Sequence, residues 1–462
     1  MMTYPRLLIA GTHSGVGKTT VTLALLSAFR AKGRRVQPFK VGPDFIDPGH
    51  HHMASGRDSR NLDGWMLDHE TNRTTFLTAA RDADLSIVEG MMGLFDGSSP
   101  VSERGSAVEQ AKQLGLPILL VVDASAMARS AAAMVHGYAM FDPALHINGV
   151  LFNRIKSDGH FRLLKDAVEN ETKVKVVGYV RPDPGLTIPD RHLGLQTAIE
   201  GKNGSFYESL GQSISETVDL DLIEQLAQSA PELTSTEESK PLDVSSRKMP
   251  PTIKVGVAYD PAFCFYYQDN LEMLEAEGAE LVKFSPLHDR ELPPVDLLYI
   301  GGGYPEVHAA QLEKNVSMRK AIQDFAALGR SIYAECGGLM YLTSTLIDFH
   351  GRSYEMVGVI PGEAAMSRTK MVLGYRELTL TCSGMLGAQG IKVRGHEFHY
   401  SCLQAKGDLE YGGSLADSQG RDRGSDGITV KNVMALYTHL HFSSNPHLVS
   451  ALLQTARDCQ SR

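Results

Sequence analysis

Three stretches of this 462-residue chain carry chemically capable residues at telling spacings. The first is GTHSGVGKTT (11–20). Backbone N–H groups of a glycine-rich loop between strand and helix cradle phosphates, with Lys18 on the β- and γ-phosphates and Thr19 on Mg2+. Thr12, Gly15, Gly17, Lys18, Thr19 and Thr20 are the candidate ATP contacts. The common spacing is GxxxxGK[ST]. Here five residues separate Gly11 from Gly17, so Thr12 stands where the first glycine is expected. The plainer alternative is a turn that only starts a helix.

The second group is acidic. KVGPDFIDPGHH (40–51) holds Asp44 and Asp47 beside Lys40, and LSIVEGMMGLFDG (85–97) ends an apolar run on Glu89, with Asp96 seven residues on. Carboxylates there would hold Mg2+, and phosphoryl transfer needs such charge neutralisation more than it needs a base. Thr19, Asp44 and Glu89 form the expected metal set. Lys40, Arg57 and Arg60 are candidates for contacting substrate carboxylates, and Asp47 and Asp96 join them as tentative substrate-site residues. The alternative is that these acids cap helices and solvate loops. His50, His51 and His52 are consecutive, point in different directions, and so cannot easily share one ion.

The third is SIYAECGGLMYL (331–342). Cys336 falls between an apolar strand and a helix start, a nucleophile-elbow arrangement. A helix N-terminus favours thiolate, and Gly337 and Gly338 allow close backbone approach. A buried structural cysteine is the alternative. In GGGYPE (301–306), the N–H groups of Gly302 and Gly303 could form an oxyanion hole. A base must activate the thiol. His439 and His441 in MALYTHLHF (434–442), and His396 and His399 in GHEFHYS (395–401), are all available. The residues by themselves do not choose among them.

The elements that position these groups follow from apolar patterning. Strands are expected at 6–10, 35–40, 84–89, 117–123, 147–152 and 174–180, with helices at 17–32 and 205–228. Apolar β-branched runs alternating with helices indicate a parallel sheet covered on both faces, with its sites at the strand C-termini. Residues 229–251 are polar and rich in Ser, Thr and Pro, as a linker is. The α/β pattern then restarts, with strands at 253–259, 295–303 and 331–338 and a helix at 267–278. The expected architecture is α/β in two domains: residues 1–228 with a doubly wound, mostly parallel phosphate-loop sheet, a linker at 229–251, and residues 252–462.

Hydrophobic residues make up 42% and charged residues 21%, an ordinary globular balance, and the net charge of −9 argues against a nucleic-acid or anionic-membrane surface. The five cysteines form no CxxC pair and are odd in number, which fits a reducing cytoplasm rather than a disulfide framework. No stretch reads as a signal peptide or membrane span.

Taken in order over about residues 5–445, the motifs resemble the corrinoid amidotransferase family, which includes the a,c-diamide synthases and cobyric acid synthase. GGGYPE, YAECGGLMYL, GHEFHYS and YTHLHF resemble its class I glutamine amidotransferase domain. GTHSGVGKTT, KVGPDFIDP and VEGMMGLFDG resemble its dethiobiotin-synthetase-like ATP domain, and fit the diamide synthases better than cobyric acid synthase. The resemblance implies Cys336 as nucleophile, His439 as its base, and Gly302, Gly303 and Gly337 around the glutamine site. It implies ATP- and Mg2+-dependent amidation of cobyrinate's a and c acetates through acyl phosphates, with glutamine as nitrogen donor. Ordinary class I enzymes carry a Glu two residues after the histidine; here His441 stands there, which leaves the orienting partner of His439 unassigned. Alternatives are the same chemistry on hydrogenobyrinate or nickel sirohydrochlorin, a phosphate-loop switch protein, and a non-catalytic module. His13, where partition-type ATPases carry a second lysine, and the cysteine site argue against the last two. The expected partner is a small corrinoid, with a homodimer left open.

Overall fold

Each apolar run expected as a strand in the first half enters one sheet. The computed structural model describes residues 4–191, 194–201, 204–233 and 253–460. The chain divides into two units, Met1–Leu242 and Asp243–Arg462. Of the expected linker, residues 234–251 lie outside the described residues. Its first part is tied to the first unit, because Arg6 Nη2 donates to the Pro231 carbonyl at 2.6 Å.

In the first unit β1 (Arg6–Gly11), α1 (Lys18–Ala31), β2 (Val36–Val41), α2 (Ile46–Ser55), β3 (Arg60–Leu62), α3 (His69–Ala80) and β4 (Leu85–Glu89) come first. There follow α4 (Ala107–Leu114), β5 (Ile118–Asp123), α5 (Ser130–Phe141), β6 (Ile147–Asn153), α6 (Asp158–Glu171) and β7 (Lys175–Tyr179). The seven strands lie in the order β3-β2-β4-β1-β5-β6-β7, every pairing parallel. β1, β2 and β4 are buried along their whole length, which is why their sequences run apolar rather than alternating. Two apolar clusters cover the sheet: Phe39, Phe76, Val88 and Leu120 belong to one, Leu25, Phe29, Ile87 and Val121 to the other.

A short ribbon, β8 (Asp190–Arg191) with β9 (Gly194–Leu195), precedes α7 (Ala198–Gly201), α8 (Gly204–Ser215) and α9 (Leu220–Gln228). The stretch 205–228, expected as one helix, is thus two. Val218 bridges Gly178 of β7, the Thr217 hydroxyl donates to the Tyr179 carbonyl, and Asp219 accepts from Leu222 N–H as a fresh N-cap.

The second unit opens with β10 (Ile253–Ala258), α10 (Gln268–Ala276), β11 (Ala279–Phe284), β12 (Leu297–Ile300), α11 (Ala309–Lys314), α12 (Val316–Ala327), β13 (Ser331–Glu335) and α13 (Gly337–Leu342). Strands then dominate: β14 (Thr343–Ile347), β15 (Ser353–Glu355), β16 (Ile360–Met366), β17 (Val372–Leu380), β18 (Lys392–His399) and β19 (Ser401–Ala405). The last elements are β20 (Glu410–Asp417), β21 (Asp422–Val430), β22 (Val433–Leu436), β23 (His439–Leu440) and α14 (His447–Gln460). Ten strands form one sheet in the order β11-β10-β12-β13-β22-β21-β20-β17-β18-β23. The first five are parallel, and the rest pair antiparallel. Among the described residues no helix is long and apolar enough to cross a membrane.

Candidate active sites

The first site sits where β1, β2 and β4 end. β1 stops at Gly11 and α1 begins at Lys18. Gly15 at φ 79° and Gly17 at φ 101° are left-handed, a conformation that favours glycine. A Cβ on Gly17 would stand 2.2 Å from Asn153 Nδ2, which donates to the Val16 carbonyl at 2.8 Å. The loop is pinned further by the Tyr138 hydroxyl on the Thr12 carbonyl at 2.7 Å and by Arg154 on the Gly15 carbonyl at 3.0 Å. Thr12 Oγ1 lies 2.9 Å from His13 Nδ1, and Thr20 follows Thr19 on the first turn of α1.

Register brings the charges together. Ile9 and Lys40 both pair with Glu89 across the sheet. The Thr19 hydroxyl donates to Glu89 at 2.6 Å and lies 3.3 Å from Asp47. Lys40 Nζ donates to Asp47 at 2.5 Å and to Glu89 at 3.0 Å, with Asp44 at 3.7 Å. Burial opposes the Glu89 charge, but Lys40, His51 and Thr19 outweigh it and hold the carboxylate well below its ordinary range. Asp47 goes the other way: burial and the Asp44 carboxylate push it well up, against the pull of Lys40. Burial and neighbouring Lys40 lower the Lys18 ammonium.

Each remaining candidate has a definite place. Asp44 accepts from the N–H groups of Ile46 and Asp47, capping α2. Asp96 accepts from Gly93 N–H at 2.9 Å and directs its charge toward Lys18. Arg60 opens β3 opposite Phe39. Arg57 bonds Gln37 at the start of β2 and Asp82 before β4, at the end of the sheet opposite the phosphate loop. Its charge is already matched there, and it does not join the Lys18 group. The three histidines diverge, His50 to Tyr207, His51 to Glu89 and Ser59, His52 to Asp58. Among the described residues no three His, Cys, Asp or Glu side chains gather as a metal-ligand cluster. The oxygens of Thr19, Asp47 and Glu89 nevertheless converge, a hard donor set that fits Mg2+.

The second site is built on the turn between β13 and α13. Cys336 is at φ 46°, ψ −101°, a strained position for a side-chain-bearing residue. The turn needs its glycines: a Cβ on Gly338 would stand 2.1 Å from the Ile300 carbonyl oxygen, and one on Gly337 would stand 3.0 Å from Gly303 N. A Cβ on Gly302 would lie 2.3 Å from His439 Cε1 and 3.4 Å from Cys336 Cβ. Gly302, Cys336 and His439 therefore meet at one point. The choice among four histidines, open in the sequence, is narrowed by this contact.

The other three have different surroundings. His441 packs on Tyr267 with ring centroids 4.5 Å apart, His399 stacks on Tyr437 at 4.1 Å, and His396 sits beside Tyr375 at 5.6 Å. Burial, with His396 and His399 nearby, pushes His439 down to about 3. The Cys336 thiol moves up, contrary to the thiolate expectation: burial and Glu306 raise it, outweighing the opposing Gly337 N–H. The resting pair is a neutral thiol beside a neutral imidazole. Sequence reasoning missed Glu335, whose carboxylate stands 3.9 Å from His439 Nδ1. A Glu inside the apolar run before Cys336 was the signal for it.

The two halves match known families separately. Residues 7–195 match the CobQ/CobB/MinD/ParA nucleotide binding domain, and residues 254–447 the CobB/CobQ-like glutamine amidotransferase domain. A cobyrinate a,c-diamide synthase of Priestia megaterium is 43% identical, covering 97% of this chain and 96% of its own. This chain belongs to the cobyrinate a,c-diamide synthase family. Family members from Picrophilus torridus, 42% identical over 96% of each chain, and Dehalococcoides mccartyi, 41% identical over 99% of each, carry the same name. Family membership makes the protein an ATP-dependent, glutamine-using amide ligase. The phosphate loop lies in the half that matches the nucleotide binding domain, and the cysteine elbow in the half that matches the glutamine amidotransferase domain.

Proposed function

We propose that the protein amidates the a and c acetate carboxylates of cobyrinate, a step of cobalamin biosynthesis, with ammonia taken from glutamine. The observation that carries this reading is the meeting of Gly302, Cys336 and His439 in a chain that also holds the charged phosphate-loop cluster. His439 Nε2 takes the Cys336 proton as sulfur attacks the glutamine amide carbon. N–H groups at Gly302 and Gly303 receive the developing oxyanion. Ammonia leaves, and water hydrolyses the thioester to glutamate.

In the first unit Lys18 and the loop N–H groups hold the ATP phosphates. Thr19, Asp47 and Glu89 would hold Mg2+, which neutralises phosphate charge when bound. A substrate carboxylate oxygen attacks the γ-phosphorus and ADP departs. Ammonia then attacks the acyl phosphate carbon, and phosphate leaves as the amide forms. Lys40, through Asp47 and Glu89, and Asp96, beside Lys18, set the charge around the loop.

The test is amide formation on cobyrinate with ATP and Mg2+, wild type against Cys336→Ala, with glutamine and then with free ammonia. Loss of glutamine-dependent product alone supports both sites and the substrate. No product from either nitrogen source in wild type overturns the cobyrinate assignment and turns attention to hydrogenobyrinate and nickel sirohydrochlorin.

A further inference from the structure

A histidine that must act as a base needs a fixed tautomer, with a proton on the nitrogen facing away from the nucleophile. In ordinary class I amidotransferases a Glu two residues after the histidine supplies that constraint. Here the position is His441, whose ring is packed against Tyr267 and which cannot accept from an imidazolium as a carboxylate does. Burial also makes an imidazolium at His439 costly. The missing acceptor therefore matters more in this site than in a wet one.

We infer that Glu335, the residue immediately before the nucleophile, is the positioning residue for His439, replacing the absent downstream carboxylate. Its Oε2 lies 3.9 Å from His439 Nδ1, both side chains being buried. That is longer than a hydrogen bond; catalytic hydrogen bonds are often long before substrate loads a site and tighten once it does. The carboxylate is itself fixed from three sides. Oε1 accepts from the Tyr333 hydroxyl at 2.7 Å and from Leu440 N–H at 3.0 Å, and Oε2 accepts from the Tyr299 hydroxyl at 3.0 Å. The Leu440 bond clamps the strand that carries His439. The side chain thus fixes both the backbone and the ring of the base.

The geometry explains why one residue can do this. In β13, Tyr333 and Glu335 are two apart and share a face of the sheet. Glu335 therefore projects from the sheet while Cys336 turns away at the elbow. The titratable groups facing Glu335 are Tyr299 on β12, Tyr333 on β13, Asp426 on β21, His439 on β23, neighbouring Cys336, and Tyr266 from the loop before α10. Burial raises Glu335 to about 7, against the pull of Tyr333, Leu440 and Tyr299, and Asp426 adds to the rise. The carboxylate is ionised above that pH, so the orienting charge is present there and is lost as pH falls.

This inference rests on the proposed glutaminase role of Cys336, and the test separates the two. Glutamine-dependent and ammonia-dependent amide formation are measured for wild type and Glu335→Gln across pH 5.5 to 9. The expected result is a glutamine-dependent kcat/KM reduced on the order of a hundredfold or more, with ammonia-dependent product retained. The acidic limb near pH 7 in the wild-type profile should vanish in the variant. A merely structural Glu335 would lower activity without removing that limb. Tyr333→Phe, which leaves Glu335 in place but removes one donor, should move the limb to higher pH. A glutamine-dependent rate within about threefold of wild type in Glu335→Gln, or an unmoved limb in Tyr333→Phe, overturns the inference. Should Glu335→Gln fail to fold, the Tyr333→Phe limb decides. Failure of the wild type to release glutamate from glutamine would instead sink the role of Cys336.

Discussion

The two sites solve opposite electrostatic problems. In the first unit charge is kept in place on buried Lys40 and Glu89: Lys40 lies between Glu89 and Asp47, and Thr19 and His51 complete the Glu89 shell. In the second unit the pair that would react is kept neutral, with His439 pushed down to about 3 and the Cys336 thiol pushed up. A triphosphate arrives already charged and needs full opposite charges waiting for it. A glutamine amide arrives neutral, and charge develops only as sulfur attacks, so a dry neutral pair suffices until then. Both sites are buried, and what differs is whether charge is present beforehand or created during the reaction.

Several substitutions would break or sharpen that contrast. Lys18→Ala removes a pre-set positive charge, and amide formation should fall by about a thousandfold with either nitrogen source. A loss with glutamine alone would mean the first site does not need that charge. Glu89→Gln leaves buried Lys40 undercompensated and should cost about 3 kcal/mol of stability, read as a lowered Tm of the first unit's transition. Gly302→Ala drives a methyl into His439 without changing any charge. Glutamine-dependent rate should drop about a hundredfold while ammonia-dependent rate holds.

His441→Phe tests neutrality itself. In the fold burial holds His441 neutral down to about 3, whereas an unfolded histidine takes its proton near about 6.5. Its contribution is complete above the unfolded value and is lost as pH falls toward the folded one. The Phe variant should lose less stability on acidification, by about 2 kcal/mol at pH 5, in denaturant titrations at pH 7.5 and 5. The smallest effect is expected at Arg57→Ala, where the partly exposed pair with Asp82 is worth at most about 1 kcal/mol and activity should be unchanged.

The phosphate loop and the elbow were legible because each is a local device. Strand, glycine turn and helix follow one another within a dozen residues, and backbone geometry fixes what Lys18 and Cys336 can face. Asp44 and Asp47 were less so. Both lie in one loop, yet Asp44 turns back to cap α2 while Asp47 turns to Thr19 and Lys40. Three residues of spacing cannot say which carboxylate a helix N-terminus captures. Arg57 shows the same limit: the helix α2 that follows β2 carries the chain back to the start of the strands, where Arg57 meets Gln37 and Asp82.

By itself the sequence determined two α/β halves, a glycine loop with Lys18 and Thr19 between strand and helix, and Cys336 on a sharp strand-to-helix turn, because local patterning and turn chemistry specify these. Only the tertiary structure decided that Glu89 sits between Thr19, Lys40 and His51, that His439 rather than three other histidines meets Gly302, and that Glu335 faces it. Those contacts join residues 70, 49, 38, 137 and 104 positions apart. Strand register and burial set them, and neither is written in the spacing of any one motif.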